Sequence, residues 1–292
     1  MKNKSGNNLK YYLELSKLKI MIPVSLTGFT GYFIFNPNLT FNLFIVTTGI
    51  LLMAIAASVL NQIQEAGLDL KMTRTQNRPI PAKNISETEA ILFFLANLVA
   101  GMVLIYSAGG FRAALTGLIT LVWYNGIYTC SKRISAFAVV PGAITGALPP
   151  LIGWVAAGGG IWDKPIIFLE FLFFIGQIPH FWLLILKYGE EYKNAGIPSL
   201  TDIFSRAQIN RLTFTWVVTS VIAALFLCSF EIIKSKLMVG ILLIASLYLI
   251  WNFSDLIKNQ ENASSSRKYS ILLDSYFLLV LILLISDKII SS

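Results

Sequence analysis

Nine apolar runs divide this chain, and each is long enough to cross about 30 Å of hydrocarbon as a helix. They fall at 20–36, 41–62, 89–107, 111–128, 136–157, 166–186, 211–232, 237–256 and 269–289. Inside lipid a segment must satisfy its own backbone N–H and C=O groups, so runs of this length become helices. The expected fold is all-α, a polytopic membrane protein built as a nine-transmembrane-helix bundle. Composition excludes a soluble alternative. Charged residues make up 13% of the chain, against about 25% in a soluble domain, too few to coat a water-soluble surface. One domain is expected over 1–292, with 1–15 as its basic N-terminal segment.

The first run follows a basic stretch and could pass for a signal peptide. No small-x-small cleavage site follows it, and "GYFIFNPN" leads directly into the next run, so it is read as a retained span. No Arg-rich, Ser-rich transit segment precedes it. Cys130 and Cys228 lie in or beside apolar runs without CxxC or Cys/His spacing, which disfavours a disulfide or a cysteine metal site.

Basic residues orient the bundle. With the N-terminus inside, the inner segments hold Lys2, Lys4, Lys10, Lys17, Lys19, Lys71, Arg74, Arg78, Lys83, Lys132 and Arg133. They also hold Lys187, Lys193, Arg206, Arg211, Lys258, Arg267 and Lys268. Only Arg112, Lys164, Lys234, Lys236 and Lys288 remain outside. That asymmetry follows the positive-inside rule and places the N-terminus in the cytoplasm of a multi-pass protein of the inner (plasma) membrane. The net charge of +8 is thereby explained by the bilayer, and no nucleic-acid partner is expected. Outer connections such as "NPNLT" are short. Two inner ones, about 63–88 and 187–210, are long and polar, where function usually lies.

The stretch "NQIQEAGLDLKMTRTQNRP" at 61–79 concentrates charge of both signs between apolar runs. Asn61, Glu65 and Asp69 are spaced i, i+4, i+8 and so share one helix face. Oxygen ligands there suit Mg²⁺, which binds through one or two carboxylates plus substrate phosphates. Arg74 and Arg78, four apart again, are suited to phosphate oxygens. Pro79 and Pro81 are expected to end the helix and leave an extended segment. The same spacing also suits a solvated helix end with ordinary ion pairs, and spacing alone does not separate the two.

The pattern Asn-x3-Glu-x3-Asp followed by "RTQNRP" resembles the first aspartate-rich motif of the UbiA superfamily of intramembrane prenyltransferases. Three further blocks resemble its haem O synthase (protohaem IX farnesyltransferase) branch: "SKLKI" at 16–20, "YTCSKRIS" with "PGAITGALPPLIGW" at 128–154, and "PHFWLLILKYGEEYKNAGIP" at 179–198. The similarity covers roughly residues 12 to 200 and fades over the last three helices. In place of a second DxxxD the chain reads "KYGEEYKNAG", with Ala195 where a second acid would stand. That reduced form favours this branch over quinone-type members. Tyr188 after Lys187, and "GIPSL" for the commoner "GIPML", are local departures.

The resemblance implies a nine-helix bundle whose central cavity faces the cytoplasm, farnesyl diphosphate and haem b as substrates, and Mg²⁺ as cofactor. Asn61, Glu65, Asp69 and His180 are implied as catalytic residues. Metal ligands would be Asn61, Glu65, Asp69 and Glu191. Substrate contacts would come from Arg74, Arg78, Tyr128, Lys132, Arg133, Lys187, Glu190, Glu191 and Tyr192. Besides the lipid bilayer, haem A synthase or a terminal oxidase assembly is an implied partner. The cation left when pyrophosphate departs would meet a vinyl group of haem b, and water would quench the adduct to give haem O.

His180, the only histidine, sits toward the end of a predicted span, where a lone histidine is commonly an interface residue; the resemblance also fits contact with haem. Tyr124, Tyr128, Trp154, Phe181 and Trp182 suit packing or the aromatic belt, and their π faces could also shield an allylic cation. "GGG" at 158–160 lacks the Lys-Ser/Thr of a phosphate loop and reads as a turn. "LPP" at 148–150 reads as a helix break lining a cavity. The sequons Asn38-Leu-Thr40 and Asn262-Ala-Ser264 read as chance matches. Two rivals stand beside this reading: a prenyltransferase for a quinone precursor or other aromatic acceptor, and a transporter of an anionic substrate. A transporter would place charge at the midplane of broken helices, whereas here charge gathers at one face and Glu170 and Asp274 fall near span ends.

Overall fold

The computed structural model describes residues 5–230, 232–258 and 265–291. Lys2, Lys4 and the Asn262-Ala-Ser264 sequon lie outside the described residues. Among the described residues the principal elements are helices: α1 Ser5–Ser16, α2 Leu18–Phe35, α3 Phe41–Asp69, α4 Glu87–Val122, α5 Thr129–Ser131, α6 Val139–Ala156, α7 Lys164–Asn194, α8 Arg206–Ser229, α9 Lys236–Lys258 and α10 Ser265–Ser291. A π-helical segment, Trp123–Tyr128, joins α4 to α5 without interruption.

Among the described residues eight helices, not nine, are long and apolar enough to cross a membrane. The difference lies in Glu87–Ser131, which runs for 45 residues, about 68 Å if straight and twice the hydrocarbon thickness. It is not straight. Gly110 has φ 76 and ψ −178, a conformation open to glycine and costly for other residues. Ile105 Cδ1 lies 3.5 Å from where a Cβ on Gly117 would stand, although a straight helix would separate the two residues by about 18 Å. The chain therefore folds back at Gly110, between the predicted runs 89–107 and 111–128. Its start is fixed by a reciprocal cap: the Ser86 N–H donates to Glu89 Oε2 at 2.8 Å, and the Glu89 N–H donates to Ser86 Oγ at 3.2 Å.

Two other expectations are corrected. Pro149 and Pro150 do not break α6, which runs through both. The lost N–H bonds are tolerable because α2 packs directly against this stretch and the helix is enclosed. Residues after Asp69 are not extended either. Residues 71–84 form successive turns, tied by bonds such as Arg78 N–H to Thr75 O at 3.0 Å and Asn84 N–H to Pro79 O at 2.8 Å.

Small residues bring the helices together. Lipid is as apolar as leucine, so helix association inside it depends on close van der Waals contact. A Cβ on Gly31 would stand 2.0 Å from Pro150 O, and one on Gly153 would stand 1.9 Å from Gly28 O. The backbones of α2 and α6 are thus in contact. Gly49 of α3 and Gly101 of α4 meet in the same way, at 2.9 Å from the Gly101 Cβ position to Gly49 O. Around these seams one apolar cluster joins α2, α3, α4 and α6 through Tyr32, Ile50, Ile105 and Val155. A second joins α6 to α10 through Trp154, Leu172, Val221, Phe253 and Val280. Outward-facing residues stay apolar, with Phe41, Trp162 and Trp251 each more than three-quarters exposed, as a lipid-facing surface requires. The protein is a multi-pass membrane protein.

The α2–α6 seam makes a direct prediction. Gly31→Ala should lower the thermal midpoint of purified protein by several degrees, because overpacking a backbone contact costs about 1–3 kcal/mol. Gly240→Ala, which meets nothing within 4 Å, should leave it unchanged. Equal midpoints for the two variants in a melting curve would show that the seam is loose.

Candidate active site

The polar groups converge at one end of the bundle. α3 continues two turns past its apolar run and carries Asn61, Glu65 and Asp69 on one face of an unbroken helix. Asn61 and Asp69 are 3% and 1% exposed. The Asn61 amide donates through Nδ2 to Thr129 Oγ1 at 3.1 Å, and that hydroxyl donates to Tyr124 O at 2.9 Å. The π-helical segment makes this possible by displacing Thr129 relative to an α-helical register. With its nitrogen engaged, Asn61 has Oδ1 as its remaining polar side-chain atom.

Each carboxylate has taken a cation. Lys132 pairs with Glu65, and its Nζ lies 4.8 Å from the centroid of the Tyr128 ring. Arg78 reaches back over the turns of 71–84, where one nitrogen, Nη1, donates to both Asp69 oxygens at 2.8 and 2.7 Å. Thr75 adds a bond from Oγ1 to Asp69 O at 3.0 Å. Buried carboxylates demand such partners, since an unpaired buried charge is costly.

The turns that follow α3 meet the end of α7, which runs to Asn194. The Arg74 N–H donates to Glu191 Oε2 at 3.2 Å, and the Arg74 guanidinium sits 4.7 Å from the Tyr188 ring centroid. Met72, Ala195 and Ile197 form a small apolar contact beneath, with Leu68 and Tyr192 against it. Lys187 and Glu190 are exposed, with Lys187 Nζ also 4.7 Å from the Tyr188 ring. Arg133 points elsewhere: it donates to Gln64 O and lines a shallow hollow with Lys71, Gly67 and Gly196.

Among the described residues no group of three Asp, Glu, His or Cys side chains stands together as a metal site, and Glu191 is engaged by the Arg74 N–H. Like charges repel, and each carboxylate is held by its own cationic or N–H donor. The remaining donors, Asn61 Oδ1 and the Glu65 and Asp69 carboxylates, still fit Mg²⁺. That ion is usually bound by one or two carboxylates together with substrate phosphates, without an all-protein cage.

Lys17 belongs to this site although the aspartate-rich motif does not contain it. It stands at the corner between α1 and α2 with φ 44 and ψ 44, a left-handed conformation uncommon outside glycine. The corner is pinned to α3 because Leu15 O accepts from Gln62 Nε2 at 2.8 Å. Burial, reinforced by Arg78 and opposed by Glu65 and Asp69, brings the Lys17 ammonium down to about 7. The signal for it was the basic pair in "SKLKI". His180, expected toward a span end, lies mid-helix in α7, and its Nδ1 is 3.0 Å from Asp274 Oδ1. Asp274 likewise lies inside α10. Phe181 packs on Tyr128 with ring centroids 5.8 Å apart, and Tyr124 lies 5.5 Å from Tyr128.

Comparison with known proteins adds relatives in sequence and in fold. The chain is 38% identical over 185 residues to a protoheme IX farnesyltransferase of Oleidesulfovibrio alaskensis, covering 63% of this chain and 65% of that one. It is 41% identical over 159 residues to one from Geobacter sulfurreducens, covering 54% and 58%. Both matches thus span less than two thirds of the relative. A third, from Nitratidesulfovibrio vulgaris strain DP4, is 32% identical over 80% of this chain and 83% of its own. The fold is similar to a solved digeranylgeranylglyceryl phosphate synthase, with TM-score 0.76, 21% identity and 97% and 99% coverage. It is also similar to a UbiA homolog from Archaeoglobus fulgidus bound to GPP and Mg²⁺, with TM-score 0.69, 15% identity and 93% and 99% coverage. The model of the UbiA prenyltransferase family matches residues 24–281, and this chain belongs to that family.

Proposed function

We propose that this protein transfers a farnesyl group from farnesyl diphosphate to a vinyl group of haem b, giving haem O, with Mg²⁺ as cofactor. The observation that carries the reading is the paired cluster at the end of α3. Glu65 and Asp69 sit with Lys132 and Arg78, and Lys17 sits in the field of all four. The Archaeoglobus fulgidus homolog bound to GPP and Mg²⁺ and the three protoheme IX farnesyltransferases support the cofactor and the acceptor.

When bound, Mg²⁺ would be held by Asn61 Oδ1, Glu65 and Asp69 and would supply charge neutralisation for the departing diphosphate. The chain's own cations supply the rest. Arg78 and Lys132, now engaged with the carboxylates, stand next to the phosphate position, and Arg74 flanks it from the neighbouring loop. A diphosphate would favour the protonated form of Lys17, whose cation is disfavoured by burial and Arg78. Deeper in the bundle, Tyr128, Tyr124 and Phe181 present π faces along the path of the allylic cation. Enclosure by apolar helices keeps water from that cation until the vinyl carbon has reacted. As the carbon–oxygen bond to diphosphate breaks, the allylic carbon bonds to the vinyl carbon; water then adds and loses a proton. Glu190, Glu191, Tyr192, Lys187 and Arg133 are proposed as outer contacts that guide the diphosphate in.

Three measurements test this reading. Asp69→Asn should reduce conversion of haem b to haem O by about a hundredfold or more, the loss of several kcal/mol of charge neutralisation. Glu65→Asp should retain part of the activity. Near-normal turnover of Asp69→Asn at low Mg²⁺, read by reversed-phase separation of haems, would reduce the cluster to a structural ion-pair patch.

Orientation is tested by labelling. In a Cys130→Ser, Cys228→Ser background, cysteines at the exposed positions 73 and 193 should react only from the cytoplasm and one at 162 only from outside. Labelling of position 73 from outside would place the site on the wrong face.

Lys17 gives a pH test. Its ammonium titrates near 7 in the folded protein and near 10.5 otherwise, so between these values the unfolded chain binds more protons. Stability should therefore rise with pH across that window, while below it the whole cost of a buried cation remains. Lys17→Met should be more stable than wild type at pH 7 and should lose this rise. Parallel melting-temperature curves for the two proteins would refute the assignment.

A further inference from the structure

The seam between α6 and α7 holds a polar side chain with no partner. Gln177 lies near the centre of α7, inside a span where an amide is costly unless it is hydrogen-bonded. Among the described residues its side chain makes no hydrogen bond, and it is only half-buried. It rests against the neighbouring helix. A Cβ on Gly146 of α6 would stand 2.6 Å from Gln177 Cγ and 2.8 Å from its Nε2.

The backbone at the same place is short of donors. Pro149 and Pro150 lie inside α6, and Pro179 lies inside α7. Proline has no N–H, so the carbonyls of Thr145, Gly146 and Ile175, four residues earlier, lack their ordinary helical bond. Gly146 thus both supports the Gln177 amide and carries an open carbonyl. The Thr145 hydroxyl gives its hydrogen to Gly142 O at 2.6 Å and keeps its lone pairs. Freed backbone groups within a bilayer are re-satisfied by neighbouring side chains and ordered water, and such a water needs about two to four polar partners.

One turn nearer the charge cluster, the same seam carries the aromatic path. A Cβ on Gly142 would stand 2.6 Å from Tyr128 Cε2 and 3.2 Å from Phe181 Cζ. Gly142 and Phe181 each stand four residues from Gly146 and Gln177, so the amide lies about 6 Å beyond those rings along the helices. It is on the side away from Lys132, whose ammonium sits over Tyr128.

We infer that Gln177, with the open Gly146 carbonyl, holds the water that ends the reaction, and that Gln177 is its positioning residue. The inference rests on the reading of haem b as acceptor. Diphosphate leaves with the electron pair of its carbon–oxygen bond, and the vinyl π electrons form the new carbon–carbon bond. The cation left on the other vinyl carbon has two exits. A water oxygen gives it an electron pair and passes a proton to the released diphosphate, which yields the hydroxyl. Otherwise the adjacent carbon loses a proton, which yields an alkene lighter by one water. Bulk water is excluded from the bundle, so the first exit needs a water already in place. A water that donates its hydrogens to Gln177 Oε1 and Gly146 O keeps its lone pairs for the cation.

The test uses the full chain in nanodiscs with haem b, farnesyl diphosphate and Mg²⁺, with products separated by reversed-phase chromatography and identified by mass. Wild type should give chiefly the hydroxylated haem. Gln177→Leu should raise the ratio of alkene to hydroxylated product about tenfold, the worth of one lost hydrogen bond. Gln177→Glu, which as the neutral acid still bonds water, should return the ratio toward wild type. Thermal midpoints and magnesium pyrophosphate binding check the fold, and Gln177→Met carries the same expectation if the leucine variant unfolds. A wild-type product ratio in the folded leucine or methionine variant, at whatever rate, overturns the role in holding water. Loss of both products in step also overturns it, because the amide would then serve an earlier stage. If wild type leaves haem b unchanged and prenylates another acceptor, the acceptor reading fails and the inference with it.

Discussion

Two carboxylates at the end of α3 are costly to enclose in so apolar a protein unless cations stand beside them. Much of the architecture at this end follows from that requirement. Asp69 is almost fully buried, so the 71–84 loop turns back to bring Arg78 onto it. Glu65 draws Lys132 from the far end of the α4 hairpin. The Tyr128 ring beneath that ammonium then meets Phe181 of α7. One electrostatic demand thereby ties together three helices, in addition to the close glycine contacts that set their packing elsewhere. The cost of burying these ions is offset within the pairs, and a buried pair is weak evidence for stability by itself. Its value lies in placing cations where an anionic substrate would need them.

The same pairs separate the acidic side chains at this end, where among the described residues no group of three gathers. A site with three converging carboxylates would be strongly repulsive without its ion. With Glu191 engaged by the Arg74 N–H, the bundle keeps two carboxylates and an amide, each with a protein partner. Such an arrangement needs no ion to balance its charge. Lys17 fits the same logic. Its cation is disfavoured beside Arg78 and becomes favourable as negative charge enters.

The sequence made the large features legible because they depend on period and hydropathy. The i, i+4, i+8 spacing placed Asn61, Glu65 and Asp69 on one face, and α3 carries them so. The two long polar segments meet at Arg74 and Glu191, the second of them on the end of α7. What escaped depends on tertiary geometry. Pro149 and Pro150 looked like a break, yet α6 continues because α2 encloses it. The π-helical segment Trp123–Tyr128 has no compositional signature, and without it the Thr129 bond to Asn61 could not be anticipated. Lys17 was visible only as one lysine among several, since its role comes from a corner pinned by Gln62.

His180 and Asp274 show the limit most clearly. They are 94 residues apart, on helices whose contact is set by one glycine opposite one phenylalanine ring. Nothing local in either segment announces the other. A lone histidine behind a proline reads as an interface residue, and a lone aspartate in an apolar run reads as a span end. Together they satisfy each other's polar groups in a medium that offers no water to do so. The pairing makes the position of both residues within the bundle tolerable.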